Sequence, residues 1–487
     1  MPRLAMPTSR DRRPAPPTPA REIARIAVPV SMEFVLMLVL NFVNQIVVGS
    51  LGATAIAAVG FSNSLTFILA VTLGCLGTSV SILVARAHGA GRRDDLDHTV
   101  TAALLVALGL GAVVSVVPWF FADHLMSLVG ASPSVAAAGT DYFRLTVLAT
   151  LPVMLSAILS GVLRSAGRPT SPMIATMVTV VANSAIAYSL VVGLGPLPSL
   201  GVAGAGWATL VTAVAKALIL LWMTYGRRGV VGWSLPDSVR QWRAVIVPLF
   251  VLALPLGVTE LFWTVGTFLY NVVFQKLGDE ALAAAQIVTT LEGVFIVGSI
   301  GLMSATTTLV GRSVGRGDVD DAMAWVRRLT RAGIGTAAAF GVLFAGSVLL
   351  LDALFGEAGR DVRMMAGVGI LINAAFQVVK VRNMIVGAGV LPSADDVRGV
   401  IMGDVVGAFA IGLPLAVVLG LHTPLGYVGI FVARILEELT KLAIFTWRAR
   451  RVRWDVLVAK AAGSRAPSTP SAPTASEMPT QPVTTSS

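Results

Sequence analysis

Acidic residues interrupt several long apolar stretches of this chain. A carboxylate inside a bilayer is unfavourable unless it is protonated, paired or hydrated, so each such residue is a candidate for a functional site. A carboxyl group that burial has partly desolvated can bind and release a proton near neutral pH. The candidates are Glu33, Glu260, Glu292, Asp404 and the adjacent pair Glu437 and Glu438.

Glu33 and Glu260 occupy matching positions in two apolar stretches. Each follows a proline by a few residues and precedes an asparagine, Asn44 or Asn271. The spacing is about three helical turns, which places acid and amide on one face. Two interpretations remain open. The acids face a central cavity and exchange a proton for a cationic solute, or each is a protonated acid bonded to a carbonyl of a neighbouring helix.

Glu292 lies near the middle of its apolar stretch, whereas Asp404 lies only a few residues into another. Thr66 occupies the position of Glu292 in the first copy of an internal repeat, so the acid is an addition to the second half, which favours a function. A structural, protonated acid is the alternative. For Asp404 the alternative is a solvated acid near the positive end of a helix dipole.

Charged residues near the end of the last apolar stretch have the spacing of an ion pair. Glu437, Glu438 and Lys441 are about one helical turn apart, which favours a structural role. Lys216 and Arg434 also lie in apolar stretches, where they pair with acids across helices or extend towards the surface.

Aromatic side chains near Glu260 offer a second kind of binding surface. Phe262, Trp263, Phe268 and Tyr270 follow within about three turns, and ring faces attract flat organic cations. Helical spacing puts the four on more than one face, so packing in the core or against lipid is the alternative. The four histidines and the single cysteine lack metal-ligand spacing, and we expect no metal.

The elements that position these residues are membrane-spanning helices. The 487 residues are 55% hydrophobic and 13% charged, with a mean hydropathy of +0.81, whereas soluble domains are roughly 25% charged. Twelve apolar stretches are long enough to cross about 30 Å of hydrocarbon. Most Lys and Arg residues fall on cytoplasmic segments if both termini are inside. The net charge of +10 then reflects topology, and we expect no nucleic-acid partner.

The segment Leu51–Asp95 occurs twice. It aligns without a gap with Leu277–Asp321, and about a third of the aligned positions are identical, including Arg86 with Arg312. Two copies of six helices point the same way through the membrane, which predicts an all-α protein of two lobes with a solute path between them. The expected parts are a disordered tail (1–21), an N-terminal lobe (22–225), a linker (226–243), a C-terminal lobe (244–453) and a disordered tail (454–487).

Several motifs together resemble the multidrug and toxic compound extrusion (MATE) family of cation-coupled exporters. They include NFVNQIVVGSLGATAIAAVG at Asn41–Gly60, ARAHGAGRRDD at Ala85–Asp95, LSGVLRSAGRPTSPM at Leu159–Met173 and LGDEALAAAQI at Leu277–Ile287. The resemblance covers nearly all of residues 22–453. It implies export of amphiphilic or cationic small molecules in exchange for H⁺ or Na⁺, by alternating access of two lobes. It also implies residence among the lipids of the cell inner membrane, and we expect a monomer without a cofactor.

The chain departs from the family pattern in its first helix. Many relatives have an aspartate where this chain has Asn44, and an amide does not titrate. The resemblance therefore implies that either an acid elsewhere couples transport to the ion gradient, with Glu33, Glu260, Glu292 and Asp404 as the candidates, or strong coupling has been lost.

Two other functions remain open. A flippase for lipid-linked precursors or metabolites, from the same exporter superfamily, often has additional helices. A non-transporting membrane sensor or scaffold would carry a folded domain outside the membrane, whereas the tails here are short and polar. We do not expect an enzyme, because no pairing of nucleophile and base and no metal constellation is visible.

Overall fold

The chain folds into long helices. The computed structural model describes residues 18–128, 133–193, 199–227 and 229–463, and within these ranges it contains no β-strand. The first half comprises α1 Pro19–Gly49, α2 Ala53–Gly89, α3 Arg93–Phe120, a short helix Ala122–Leu128, α4 Pro133–Ser165, α5 Thr170–Val192 and α6 Val202–Tyr225.

The second half repeats this pattern with more irregular helices. It comprises α7 Val239–Leu277, α8 Asp279–Arg316, α9 Val319–Leu354, α10 from the segments Arg360–Ala375 and Gln377–Ser393, α11 Val397–Leu421, α12 Gly426–Arg451 and α13 Trp454–Gly463. The two segments of α10 meet at 55°. π-Helical turns occur in α10 at Met384–Val390 and in α11 at Val406–Gly412.

The predicted all-α fold with twelve crossings is confirmed within the described ranges. Nine helices are long and apolar enough to cross a membrane, and the bent α10 is the tenth. Helix α2, with 37 residues, and helix α12, with 26 residues, complete the twelve. The chain is a multi-pass membrane protein.

Each half forms a lobe around one central helix. In the N-terminal lobe α4 packs against α2, α3 and α6, and its Ile158 and Leu163 are fully buried. In the C-terminal lobe α8 packs against α9 and α10, while α12 packs against α11. Because α4 and α8 are enclosed by neighbouring helices, their polar side chains must find partners inside the protein.

The lobes meet along two helices from each side. Helices α1 and α2 pack against α8, and α2 also packs against α7. Ile26 of α1 shares an apolar cluster with Leu302 of α8, and Ile82 of α2 shares another with Leu252 and Leu256 of α7. The interface is thus built from the repeated first and second helices of each lobe.

Two glycines bring α2 and α8 into contact at one end of the bundle. A Cβ atom at Gly89 would lie 2.1 Å from the carbonyl oxygen of Arg312, and one at Gly315 would lie 2.0 Å from that of Arg86. Only glycine permits this approach at either position. We call this end, where α1 begins and α2, α4 and α8 end, the basic end.

The observed boundaries differ from the predicted ones at two points. Helix α7 begins at Val239, so the linker between the lobes ends earlier than predicted. Trp454–Gly463, predicted to be disordered, forms α13. Leu457 of α13 packs in the cluster that contains Ile26 and Trp325, and this burial of apolar surface explains its order. The remainder of the predicted tails, residues 1–17 and 464–487, lies outside the described residues.

We predict that Gly161→Val destabilises the N-terminal lobe by about 1–3 kcal/mol. A Cβ atom at Gly161 would lie 2.8 Å from the carbonyl oxygen of Gly77, so the larger side chain must push α4 away from α2. Gly109→Val is the control, since nothing lies within 4 Å of a Cβ atom there. Thermal unfolding midpoints in detergent should fall for the first variant only. Equal midpoints for both variants would contradict the close α2–α4 contact.

Candidate functional site

Glu33 lies where four helices of the N-terminal lobe converge. Its side chain on α1 is 5% exposed. Thr176 of α5 donates a hydrogen bond to its Oε1 at 3.1 Å, and Lys216 of α6 donates to the same oxygen at 3.3 Å. The guanidinium of Arg164 on α4 lies 3.6 Å from Oε2. Two cations therefore face one carboxylate, and Lys216 pairs with an acid across helices.

The predicted partners of the two matching acids lie apart from them. Asn44 is half-buried on α1, and its Oδ1 accepts no hydrogen bond from the described residues. Asn271 on α7 accepts a hydrogen bond from Gln286 of α8 at 3.3 Å. Each amide thus lies about three turns from its acid, too far for direct contact.

Glu292 forms a buried ion pair in the C-terminal lobe. The ammonium group of Lys380 on α10 lies 2.5 Å from its Oε1 and donates to Asn373 Oδ1 at the same distance. Glu292 and Lys380 are each 9% exposed. A pair enclosed in this way fixes α8 against the bent helix α10, because separating the charges would leave both without a partner.

A second group of charges surrounds Lys441 on α12. Its ammonium group lies 2.7 Å from Glu437, 3.5 Å from Asp404 of α11 and 3.9 Å from Glu438. The ion pair indicated by the sequence spacing is therefore present, and it extends to Asp404. One lysine shared among three acids leaves the group with a net negative charge.

Hydrogen bonds connect this group to other helices. Tyr270 of α7 donates its hydroxyl hydrogen to Glu437 at 2.6 Å. The amide of Asn383 on α10 donates to the side chain and the main-chain carbonyl of Glu438, both at 2.8 Å. The acids near Lys441 thus lie at a junction of α7, α10, α11 and α12.

Arg434 joins the two charge groups. Its guanidinium lies over the ring of Tyr270, 5.5 Å from the ring centroid, and its charge interacts with those of Glu292 and Glu437. Charges of alternating sign therefore run through the C-terminal lobe from Lys380 to Asp404. The sequence identified most members of this series and the pairing of Lys441 with its neighbours on α12, but not the pairs between helices.

Glu260 differs from the other intramembrane acids. Its side chain on α7 is exposed, and it forms no hydrogen bond or ion pair with the described residues. Helix α7, which carries Glu260, packs against α2 of the N-terminal lobe and against α11 of the C-terminal lobe. Because α2 belongs to one lobe and α11 to the other, Glu260 lies at the seam between them.

The aromatic candidates on α7 have separate surroundings. Phe262 packs edge-on against Phe409 of α11, with ring centroids 5.4 Å apart, and Tyr270 is buried with its ring face already covered by Arg434. Trp263 and Phe268 are 53% and 64% exposed. The structure thus favours packing for the first two rings and leaves the other two at the surface.

Two of these cations were not among the candidates that the sequence singled out. Arg164 contacts Glu33, and Lys380 is buried against Glu292. The signal was the position of Lys380 inside an apolar stretch. Thr176, Asn373 and Asn383 carried no distinguishing pattern. Within the described residues no group of three His, Cys, Asp or Glu side chains could hold a metal ion.

These features define a class of protein: a multi-pass helical bundle of two repeated lobes with charges buried inside each lobe, an architecture of secondary transporters. Residues 29–189 and 255–418 match the MatE family. The chain belongs to the MatE family, which confirms the resemblance found in the sequence.

Proteins of similar sequence extend over most of the chain. A probable multidrug resistance protein NorM from Bradyrhizobium diazoefficiens is 28% identical over 428 residues, covering 84% of this chain and 89% of the relative. The multidrug resistance protein MdtK of Edwardsiella ictaluri is 25% identical over 452 residues, covering 89% and 95%.

Solved structures share the fold. An outward-facing multidrug resistance MATE family transporter of the MOP superfamily superposes with a TM-score of 0.82 at 20% identity, covering 91% of this chain and 97% of that one. A MOP superfamily transporter from Pyrococcus furiosus, described as having a binding pocket of reverse polarity, gives a TM-score of 0.80 over the same shares. These likenesses establish the two-lobe architecture.

We predict that Lys380→Met lowers the stability of the C-terminal lobe by about 3–5 kcal/mol, because Glu292 is left buried without its partner. The double variant Glu292→Gln, Lys380→Met should recover part of this loss. Lys276→Met, at an exposed position on α7, is the matched control. Unfolding midpoints of the four proteins in detergent test the prediction. A double variant no more stable than Lys380→Met alone would show that the pair is not the source of the effect.

Proposed function

We propose that this protein exports amphiphilic or cationic small molecules across the cell membrane in exchange for H⁺ or Na⁺. Family membership and the names of the similar multidrug resistance proteins support the substrate class. The two repeated lobes support transport by alternating access to a path between them.

The single observation that carries the coupling proposal is the state of Glu260. Five of the six intramembrane acids lie within 4 Å of a lysine or arginine: Glu33, Glu292, Asp404, Glu437 and Glu438. Glu260 has no such partner among the described residues and lies at the seam between the lobes. A carboxylate left without a cation by the protein is available for a cation from solution.

Exchange of an ion for a substrate follows if both compete for the charge of Glu260. A proton or Na⁺ on Glu260 neutralises the carboxylate and weakens the binding of a cationic substrate, and a bound substrate weakens the binding of the ion by the same factor. Asp404 lies close enough for its charge to act on Glu260, and its own lysine is shared with two other acids. A negative second charge strengthens the attraction of cations to this position.

Because Glu33 has cationic partners within the protein, we infer that its role is structural. Asn44 cannot titrate, and Glu33 is already neutralised by Lys216 and Arg164. We infer that ion coupling belongs to the C-terminal lobe and that the Glu33 cluster holds α1 against α4, α5 and α6.

The orientation of the protein in the membrane determines the direction of the proposed transport. The positive-inside rule places the basic end in the cytoplasm, and in this structure the lobes touch there through Gly89 and Gly315. The path then opens towards the opposite side of the membrane, from which a substrate is released. The count of twelve helices gives no support to a flippase with additional crossings.

We predict that Glu260→Gln reduces substrate-dependent proton or sodium movement at least roughly tenfold, because the amide cannot exchange a cation. Purified protein in liposomes, with either ion gradient imposed separately, identifies the coupling ion. Glu280→Gln is the control, because Glu280 is an exposed acid of the same lobe. This variant should retain activity. Ion movement that is unchanged in Glu260→Gln would overturn the assignment.

A further inference from the structure

Two arginines at equivalent positions of the internal repeat each reach across to the opposite lobe. Arg86 in the last turn of α2 donates from Nη2 to the carbonyl oxygen of Ser393 at 2.7 Å and to Asp395 at 2.8 Å. Arg312 in α8 donates from Nε and Nη2 to the carbonyl oxygen of Ser165 at 3.1 and 2.8 Å. Arg86 thus links the N-terminal lobe to a helix end of the C-terminal lobe, and Arg312 links the C-terminal lobe to a helix end of the N-terminal lobe.

The acceptors explain why arginine suits both positions. Ser165 ends α4 and Ser393 ends α10, and the last carbonyl groups of a helix lack partners within it. The negative end of the helix dipole lies there as well. Each guanidinium therefore completes a helix end of the other lobe, and its rigid fork can hold two acceptors, or one acceptor through two N–H groups.

The close contact between α2 and α8 determines the positions of the two arginines. Arg86 lies three residues before Gly89, and Arg312 lies three residues before Gly315, so each arginine and its glycine share a helix face. The backbones of α2 and α8 meet at these glycines, with less room than a Cβ atom would need. The arginines can reach the opposite helix ends only while this contact persists.

The link through Arg86 has an additional acid. Asp395 has φ +58°, and it is the one described residue other than glycine with a positive φ angle. This left-handed conformation is unusual for a residue with a side chain, although aspartate tolerates it better than most. The turn between α10 and α11 thus presents both a carbonyl and a carboxylate to Arg86, whereas the hydrogen bonds that Arg312 makes across the interface both go to the carbonyl of Ser165.

We propose that Arg86 and Arg312 form a reciprocal latch that holds the lobes together at the basic end and must release before solutes enter from that end. The entry step rests on the alternating access proposed above, whereas closure by the latch can be measured without transport. Both links break when the lobes separate, because donor and acceptor belong to different lobes. Water then replaces four hydrogen bonds that only the closed arrangement provides.

A reporter cysteine beneath the latch tests the proposal. Ile82, one turn before Arg86, is fully buried at the interface against Leu252 and Leu256. In a Cys75→Ser background, Ile82→Cys is labelled with a membrane-impermeant maleimide added to the cytoplasmic side of inside-out vesicles. We expect slow labelling in the parent, labelling about tenfold faster with Arg86→Gln or Arg312→Gln, and still faster labelling with both.

Two controls separate release of the latch from unfolding or from charge loss. Arg93→Gln removes an exposed arginine at the same end and should leave the labelling rate unchanged. A second reporter, Ile158→Cys, lies in the core of the N-terminal lobe and should stay unlabelled in every variant. Faster labelling at both reporters would overturn the proposal, because the arginines would then stabilise the fold in general.

The outcome is independent of the coupling site. Glu260→Gln in the Ile82→Cys background should label as slowly as the parent, even if ion exchange is lost. Labelling that remains slow in the Arg86→Gln, Arg312→Gln double variant would disprove the latch, whatever the result for Glu260.

Discussion

Neutralisation of charge inside the membrane is the constraint on which this structure depends. An unpaired charge in a medium of low dielectric constant raises the free energy of the folded protein. In both lobes, ion pairs between separate helices lower this free energy. Glu33 ties α1 to α4 and α6, Glu292 ties α8 to α10, and Lys441 connects α12 with α11. The same pairs that fix the helices remove these acids from solute chemistry, which leaves Glu260 available.

The internal repeat accounts for the helix arrangement that the two lobes share. The candidate site comes from residues that differ between the two copies. The repeat places Arg86 and Arg312 with their glycines at one end, where both lobes use the same contacts. The buried charges obey no such symmetry. The N-terminal lobe has one acid facing two cations, and the C-terminal lobe has a longer alternating series that includes Arg434. The lobes are thus alike in shape and different in charge.

The sequence predicted the fold better than the site, for a physical reason. Hydropathy, the repeat and turn residues are local signals, and they revealed the twelve helices and the two lobes. Pairing across helices is a long-range property, so Glu33 and Glu260 looked equivalent although Glu33 contacts Lys216 and Glu260 has no cationic partner among the described residues. The burial of Lys380 against Glu292 depends on how α8 packs against α10, which no local signal indicates. Helix α13 was not predicted because its segment is short and is held by packing against α8 and α9.

In the proposed exchange, Glu260 is the carboxyl group whose protonation or cation binding changes when substrate binds. Infrared difference spectra of the purified protein, recorded with and without substrate, measure this through the carboxyl stretching bands. We expect a substrate-induced carboxyl signal that is absent in Glu260→Gln and present in Glu292→Gln. A signal that persists in Glu260→Gln and disappears in Glu292→Gln would contradict it.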